Sequence, residues 1–220
     1  CPDIMLDADM VLTAIGIQPN SDLAAQAGLD LGVKNAIAVN KKLQTSDENI
    51  YAAGDCADAY HVVTGEKTWI PLALRANRAG WAVADSVCGK RTELPGISGT
   101  AVFKFFDYQI ARTGLTCAEA RNYGFDAVER VIKTRSRAHA QKNSTEIRVQ
   151  VVGDRASRRL LGMFMVGKEG VAHRINAPAV ALNAAMTVDN YIQSDMAYAP
   201  PFGPVWDPTL TAAMQLVKDL

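Results

Sequence analysis

Thr45-Ser46-Asp47-Glu48-Asn49-Ile50-Tyr51-Ala52-Ala53-Gly54-Asp55 carries a strand-like run that stops on Gly54-Asp55. A glycine at a strand end lets a ligand approach the backbone closely. An ionised aspartate is an acceptor only and suits the hydroxyls of a polyol. The same dipeptide is common in turns, where the aspartate merely caps the next bend, so the pair alone leaves both readings open.

Upstream, Ala8 to Ile17 is a short apolar run ended by Gln18-Pro19-Asn20, which predicts a buried strand of the parallel type entering a turn. Ser21-Asp22 can cap a short helix through Ala27, stopped by Gly28. A strand pair is expected around Ala36 to Val39 and Asn49 to Ala53. Downstream, Pro71 to Cys88 has Leu72, Ala73, Ala76, Ala79, Gly80, Val83, Ala84 and Val87 at helical spacing, with Pro71 in the first turn and Gly89 past the end. The small residues give that helix a narrow face able to lie close to a sheet.

The stretch Arg91 to Gly99 breaks all periodicity with one proline and two glycines and marks a domain boundary. Beyond it, strands are predicted over Ala101 to Phe106, Asp126 to Arg135, Glu146 to Val152 and Leu160 to Val166, the last two joined by a hairpin loop at Gly153 to Ser157. Helices are predicted over Ala118 to Tyr123, Ala177 to Met186 and Pro208 to Leu220. The last has Asp207 as N-cap, Pro208 at the first position, and Leu210, Met214 and Val217 on one face. Four strands and three helices make an α+β layer with one sheet face left to cover.

Composition narrows the function. In 220 residues, 49% are hydrophobic, enough for a real core. Lys+Arg and Asp+Glu are both 23, so no net field draws in nucleic acid or an anionic membrane surface. The longest apolar runs fall short of the roughly 20 residues that span a bilayer, and nothing at the start resembles a signal peptide. Cys1, Cys56, Cys88 and Cys117 form no CxxC and no Cys/His cluster, which suits the reducing cytoplasm and predicts neither a metal site nor structural disulfides. GxGxxG, P-loop, GxSxG and HExxH motifs are all absent. Cys1-Pro2 leads almost at once into an apolar run with no initiator Met, so the chain is read as a piece of a longer protein.

Taken together, Ala8 to Asn20 and Thr45 to Asp55 resemble the flavin-dependent pyridine nucleotide-disulfide oxidoreductases. In that family the first segment closes the NAD(P)H domain, and the aspartate of the second binds the ribityl chain of FAD. The resemblance gives Gly54 and Asp55 those roles. Pro71-Leu72-Ala73 matches the family segment that sits against the isoalloxazine ring; its spacing alone would favour an ordinary proline-started helix. A helix N-terminus there offers N–H groups to the ring edge that becomes anionic on reduction.

Tyr198-Ala199-Pro200-Pro201-Phe202-Gly203-Pro204-Val205-Trp206-Asp207-Pro208 reads by composition as a rigid surface loop docking aromatics. It is also similar to a hallmark of the coenzyme A-disulfide reductase, NADH oxidase and NADH peroxidase branch. Val102 to Thr113 and Leu161 to Arg174 look like that branch's dimerisation domain. One departure stands out: His139-Ala140-Gln141-Lys142-Asn143-Ser144 occupies the place of a Tyr-Tyr-Pro-Gly-like stretch near the thiol substrate.

The resemblance implies an α/β plus α+β fold: residues 1–20 end an NAD(P)H-binding domain, 21–97 belong to a three-layer FAD-binding domain, and 98–220 form a dimerisation domain. It further implies a homodimeric flavoprotein that uses FAD and NAD(P)H to reduce coenzyme A disulfide, or a related disulfide or persulfide, through a cysteine outside this chain. The alternatives are an oxidase or peroxidase acting on oxygen or peroxide, and a fragment that only dimerises and docks a thiol cofactor. Tyr198 is the implied catalytic residue, acting on the partner's site, while Asn77 and Trp206 are placed near the thiol substrate. His61, His139 and His173 are too scattered for a ligand pair. Arg155, Arg158 and Arg159 bracket a hairpin as a solvated face that a phosphoadenosine group could also use.

Overall fold

The computed structural model describes residues 4–220, so the Cys1-Pro2 opening and the first three residues of the 1–20 segment lie outside it. Among the described residues seven α-helices and seven strands follow in order. Helix α1 is Asp22–Gln26. The two-residue strands β1 (Ala59–Tyr60) and β2 (Lys67–Thr68) form an antiparallel ribbon ahead of α2, Ala73–Val87. Then come β3 (Ala101–Phe105), β4 (Tyr108–Gly114), α3 (Cys117–Asn122), β5 (Ala127–Arg135), β6 (Glu146–Asp154) and β7 (Leu160–Gly167). Helices α4 (Val171–Arg174), α5 (Asn176–Asn183), α6 (Val188–Ile192) and α7 (Pro208–Leu216) close the chain.

The second half is one antiparallel sheet in the order β3-β4-β7-β6-β5. Side chains alternate across it, so the register Val149↔Met165 and Val151↔Met163 puts Ile147, Val149, Val151, Met163 and Met165 on one face, all fully or almost fully buried. Each contributes about 1.5–3 kcal/mol on burial. Helix α7 covers this face over β5 and β6, and α4 and α5 cover it over β4 and β7. Helix α5 reaches the sheet through Pro178, Ala181 and Leu182, so most of its apolar face is used within the chain, with Val180 left exposed. The opposite sheet face, with Phe103, Ile110, Val131 and Phe164, is open.

Five strands, not four, build the sheet. The extra strand β4 follows β3 through a tight turn at Phe106-Asp107, with Phe106 at φ +49°. A non-glycine in that conformation carries no sequence signal. The predicted strands otherwise stand within two residues of their expected ends, with β6 running on to Asp154. Helix α3 is fixed by a capping box, Thr116 accepting from the Glu119 N–H and Glu119 accepting from that of Thr116. Helix α7 has Asp207 as N-cap and Pro208 at its first position, but it ends at Leu216 in a 3-10 turn, and its buried face runs through Thr209, Leu210, Ala212, Ala213 and Leu216. Helix α5 stops at Asn183, where Ala185 turns to φ +50°.

The first half differs more. Ala8 to Ile17 is an exposed, extended segment rather than a buried strand, with Leu12 and Ile15 about nine-tenths exposed. A parallel strand is stable only between partners, and among the described residues none lies beside it. The expected pair at Ala36 to Val39 and Asn49 to Ala53 reduces to isolated bridges, Ile37↔Ala57 and Gln44↔Tyr51. Helix α1 forms but ends at Gln26, one residue short of the expected Ala27, and the Ser21 hydroxyl donates to Asn35 O instead of capping. Helix α2 begins at Ala73, two residues after Pro71, and packs Ala79 and Ala82 on Val39, Leu43, Ala52 and Ala57.

At the end of β4, Gly114 (φ +72°) lies against Gly162 of β7, and Gly162 presses directly on the Leu115 backbone. Any Cβ on Gly162 meets main-chain atoms that cannot rotate away. Gly162→Ala should therefore destabilise by about 2–3 kcal/mol, the scale of an overpacked core. Denaturant titration would show it as a lowered midpoint, and an unchanged midpoint would contradict the close approach.

Candidate functional site

Two groups of candidate residues form at separate places. The first is built on the segment Ala52 to Asp58, held on both sides of Gly54-Asp55. Ala52 N–H donates to Leu43 O at 3.0 Å, and the bonds from Ile37 N–H to Cys56 O (2.8 Å) and from Asp58 N–H to Ile37 O (3.0 Å) fix its far end. Asp58 is buried and accepts from the Val39 N–H at 3.0 Å and Lys67 Nζ at 2.7 Å. Lys67 also donates to Val39 O. That ion pair ties three chain segments together beneath the turn.

On this frame Gly54 takes φ +97°, and nothing lies within 4 Å of where a Cβ would stand. The Asp55 side chain is exposed, and its carboxylate takes no hydrogen bond from the described residues. Its carbonyl accepts from Trp69 Nε1 at 2.7 Å. That bond brings the Gly54-Asp55 turn beside Pro71-Leu72-Ala73. Leu72 is the extended N-cap of α2 and no side chain caps the first turn, so N–H groups of an exposed helix end remain available near an acceptor carboxylate. Arg75, in the same turn, donates through Nη2 to Asp58 O at 3.3 Å, while Nε and Nη1 are buried without partners among the described residues. Burial lowers the Arg75 guanidinium from its usual value, with the nearby Asp58 opposing. Asn77 lies one turn on, exposed.

The second group is the loop Tyr198 to Asp207. Ala199 O accepts from the Phe202 N–H (2.9 Å) and the Gly203 N–H (3.1 Å), closing a turn around Pro200-Pro201. Pro200 O accepts from the Ala138 N–H at 3.2 Å, so the loop rests on the β5–β6 connection. Tyr198 and Trp206 are about half exposed, and the Tyr198 hydroxyl has no partner among the described residues. Asp207 ends the loop: its Oδ1 accepts from the Thr209 N–H (2.9 Å) and hydroxyl (2.7 Å), and that hydroxyl accepts from Tyr191 at 2.9 Å. Burial pushes the Tyr191 phenol far up, so it stays a neutral donor. Among the described residues no hydrogen bond joins this loop to the Asp55 turn.

The remaining candidates are structural. His61 is buried, and its Nδ1 accepts from the Val63 N–H at 3.2 Å; burial lowers its pKa. Arg158 forms a two-pronged pair with Asp189 and Arg155 pairs with Asp126, so most of the donors considered for a phosphoadenosine group are taken. Among the described residues no group of His, Cys, Asp and Glu could hold a metal, and no helix is long and apolar enough to cross a membrane. Spacing reasoning missed Trp69, the link inside the first group, and Arg174, which braces the second. Neither belongs to a local pattern.

Beside the second group, Glu169 accepts from Ser136 Oγ, Arg137 Nε (2.9 Å) and Arg137 Nη2 (2.6 Å). The bonds from Arg137 hold the Glu169 carboxyl below the usual range. A depressed folded pKa means the pair stabilises above the unfolded value near pH ~4.3 and is lost as pH falls below it. The stability difference between wild type and Glu169→Gln should therefore shrink as denaturation is followed from about pH 6 down to ~3.5; a constant difference would refute it.

Two family models match the chain: pyridine nucleotide-disulphide oxidoreductase over residues 3–80, and the dimerisation domain of the same family over 100–208. A Pyrococcus furiosus NAD(P)H sulfur oxidoreductase (CoA-dependent) is 44% identical over 209 residues, covering 95% of this chain and 47% of that protein. A coenzyme A disulfide reductase from Staphylococcus aureus is 34% identical over 195 residues, 88% and 44% of the two chains. The solved NAD-dependent persulfide reductase from A. fulgidus superposes with a TM-score of 0.92 at 38% identity, over 96% of this chain and 40% of that one. The chain thus spans about half the length of the curated relatives it matches.

Proposed function

Since the chain belongs to the pyridine nucleotide-disulphide oxidoreductases, we propose that it is part of an FAD-dependent NAD(P)H oxidoreductase that reduces coenzyme A disulfide or a related disulfide or persulfide. In this reading residues 1–20 close an NAD(P)H-binding domain, 21–97 belong to the FAD-binding domain and 98–220 pair two subunits as a homodimer in a reducing cytoplasm. The observation that carries it is the bond from Trp69 Nε1 to the Asp55 carbonyl, which ties the Gly54-Asp55 turn, with its unpaired carboxylate, to the segment two residues ahead of Pro71 and the uncapped start of α2.

The residues present fit a flavin. Asp55 would accept from ribityl hydroxyls, the open space at Gly54 admits close approach, and Pro71-Leu72-Ala73 with the α2 N-terminus would face the ring edge that gains negative charge. When bound, FAD would supply two-electron redox chemistry between NAD(P)H and sulfur. The chain's own residues orient and protonate: Asn77 and Trp206 hold the thiol-bearing substrate, and Tyr198 donates a proton to the departing thiolate of the partner subunit's site.

The test is the full-length protein, assayed for a flavin spectrum and for NAD(P)H oxidation with coenzyme A disulfide and with oxygen. Disulfide-dependent turnover supports the proposal, whereas a protein without flavin, or one turning over only with oxygen, defeats it. An indole stacked on an adenine or pantetheine arm contributes about 1–3 kcal/mol. Trp206→Ala should then raise KM for coenzyme A disulfide roughly 5- to 150-fold with a smaller change in kcat, and an unchanged KM would remove Trp206 from the substrate site.

A further inference from the structure

Arg174, the last residue of α4, has one of the least exposed charged side chains in the second half, at 13%. Its guanidinium donates to four acceptors on three segments. Nε donates to Asp207 Oδ2 at 2.7 Å, Nη1 to Gly170 O at 2.8 Å, and Nη2 to both Ser136 O at 3.0 Å and Phe202 O at 2.9 Å. Two of these bonds reach the Tyr198–Asp207 loop, one at its middle and one at its end. The other two reach the β5–β6 connection and the turn before α4. The charge has one carboxylate partner within bonding distance, Asp207, and Glu169 lies nearby, held by Arg137.

Among the described residues the other side-chain bonds to the loop come from α7 at its end, Thr211 Oγ1 to Trp206 O at 3.4 Å and Thr209 Oγ1 to Asp207 Oδ1 at 2.7 Å, and Arg174 alone reaches its middle. Apart from Arg174, the turn at Ala199 to Gly203 has only local backbone bonds and the one from the Ala138 N–H, and Pro204 offers no N–H of its own to the segment that follows. The planar fork of an arginine can engage a carboxylate and carbonyls at fixed angles, which an ammonium cannot do. Asp207 is also the N-cap of α7, so the same guanidinium sets the loop's end relative to the helix that lies on the sheet.

We infer that Arg174 is a positioning residue: it fixes the loop that presents Tyr198 and Trp206 to the acceptor, without touching substrate itself. The inference rests on the proposed roles of those two residues. Arg174 sets how well the acceptor is held and protonated, and has no part in the reduction of bound flavin by NAD(P)H. A residue that served only general stability would weaken both halves of the cycle together.

The full-length enzyme carrying Arg174→Met, Arg174→Lys and, as a control for loss of a similar ion pair elsewhere, Arg158→Met would be compared with wild type. Arg174→Met should lower kcat/KM for coenzyme A disulfide at least 30-fold, with KM and kcat both affected, while stopped-flow reduction of the flavin by NADH stays within twofold. Arg174→Lys should recover part of the loss, and Arg158→Met should change neither half. Amide hydrogen exchange provides the second measurement: Phe202, Gly203 and Thr209 should exchange at least tenfold faster in Arg174→Met and at the wild-type rate in Arg158→Met. Unchanged exchange at those amides, or a parallel fall in both half-reactions, overturns the inference. If wild type does not reduce coenzyme A disulfide at all, the functional proposal fails, and the exchange experiment still decides whether Arg174 holds the loop.

Discussion

Mixed dimers that combine one subunit carrying Tyr198→Phe with one lacking the redox cysteine should keep about half of wild-type activity. Tyr198→Phe on both subunits should lose a factor of about 10²–10⁴ in thiol turnover, the usual contribution of a positioned acid or base. Tyr198 stands half exposed on its loop with a hydroxyl free of partners among the described residues, and no hydrogen bond connects that loop to the Asp55 turn of its own chain. A phenol held this way is available to a second subunit. The turn around Pro200-Pro201 is closed on Ala199 O, so little conformational entropy remains to be lost when the phenol meets a thiolate. Acting in trans, the two lesions fall on the same site when they sit on different subunits, leaving the other site whole. Acting in cis, they damage both sites, and the mixed dimer would be no more active than the Tyr198→Phe parent. That second outcome would sink the trans role while leaving the loop's geometry as described.

Much of the second half could be read from its sequence because its signals are local. Alternation over Glu146 to Val152 and Leu160 to Val166 names strands whose buried residues then pair across β6 and β7. Asp207-Pro208 announces the start of α7 and delivers it. Strand β4 escaped because its turn uses Phe106, whose positive φ is stabilised by the hairpin and not by residue type. Helix α6 escaped for its brevity, although Thr187 caps it through the Asn190 N–H. In the first half, Ala8 to Ile17 has the composition of a central strand, yet composition cannot supply the neighbouring strands that would hold it. The site divides in the same way. Asp55 and Tyr198 lie in recognisable motifs, whereas Trp69 and Arg174 act across 14 to 38 residues of intervening chain through bonds that no spacing rule anticipates.

The 220-residue chain purified by itself should be colourless, releasing no stoichiometric flavin on denaturation. On the proposed reading, the groups that would hold FAD, Asp55, Gly54 and the start of α2, meet only the ribityl chain and one edge of the ring. A dinucleotide's pyrophosphate normally rests on a glycine-rich turn at a helix N-terminus, where several N–H groups and the helix dipole meet its charge. The sequence has no GxGxxG, so that charge would go unmet. The exposed run from Met10 to Ile17 and the exposed Leu74 and Trp81 of α2 show apolar surface on the same half of the chain where the rest of a cofactor domain would pack. A carboxylate and one helix end left open to water discriminate weakly, because each contact competes with solvent; a charge at a helix terminus contributes only about 0.3–1 kcal/mol when exposed. Such contacts cannot offset the ordering of a long, flexible dinucleotide, so added FAD should dialyse away. Mixing with the other half of the proposed full-length protein, expressed separately, should restore the yellow colour if the two parts reassociate around the cofactor. A preparation of this chain alone that is yellow, with one flavin per subunit after gel filtration, would show that Asp55 and α2 hold far more of the cofactor than their geometry supports.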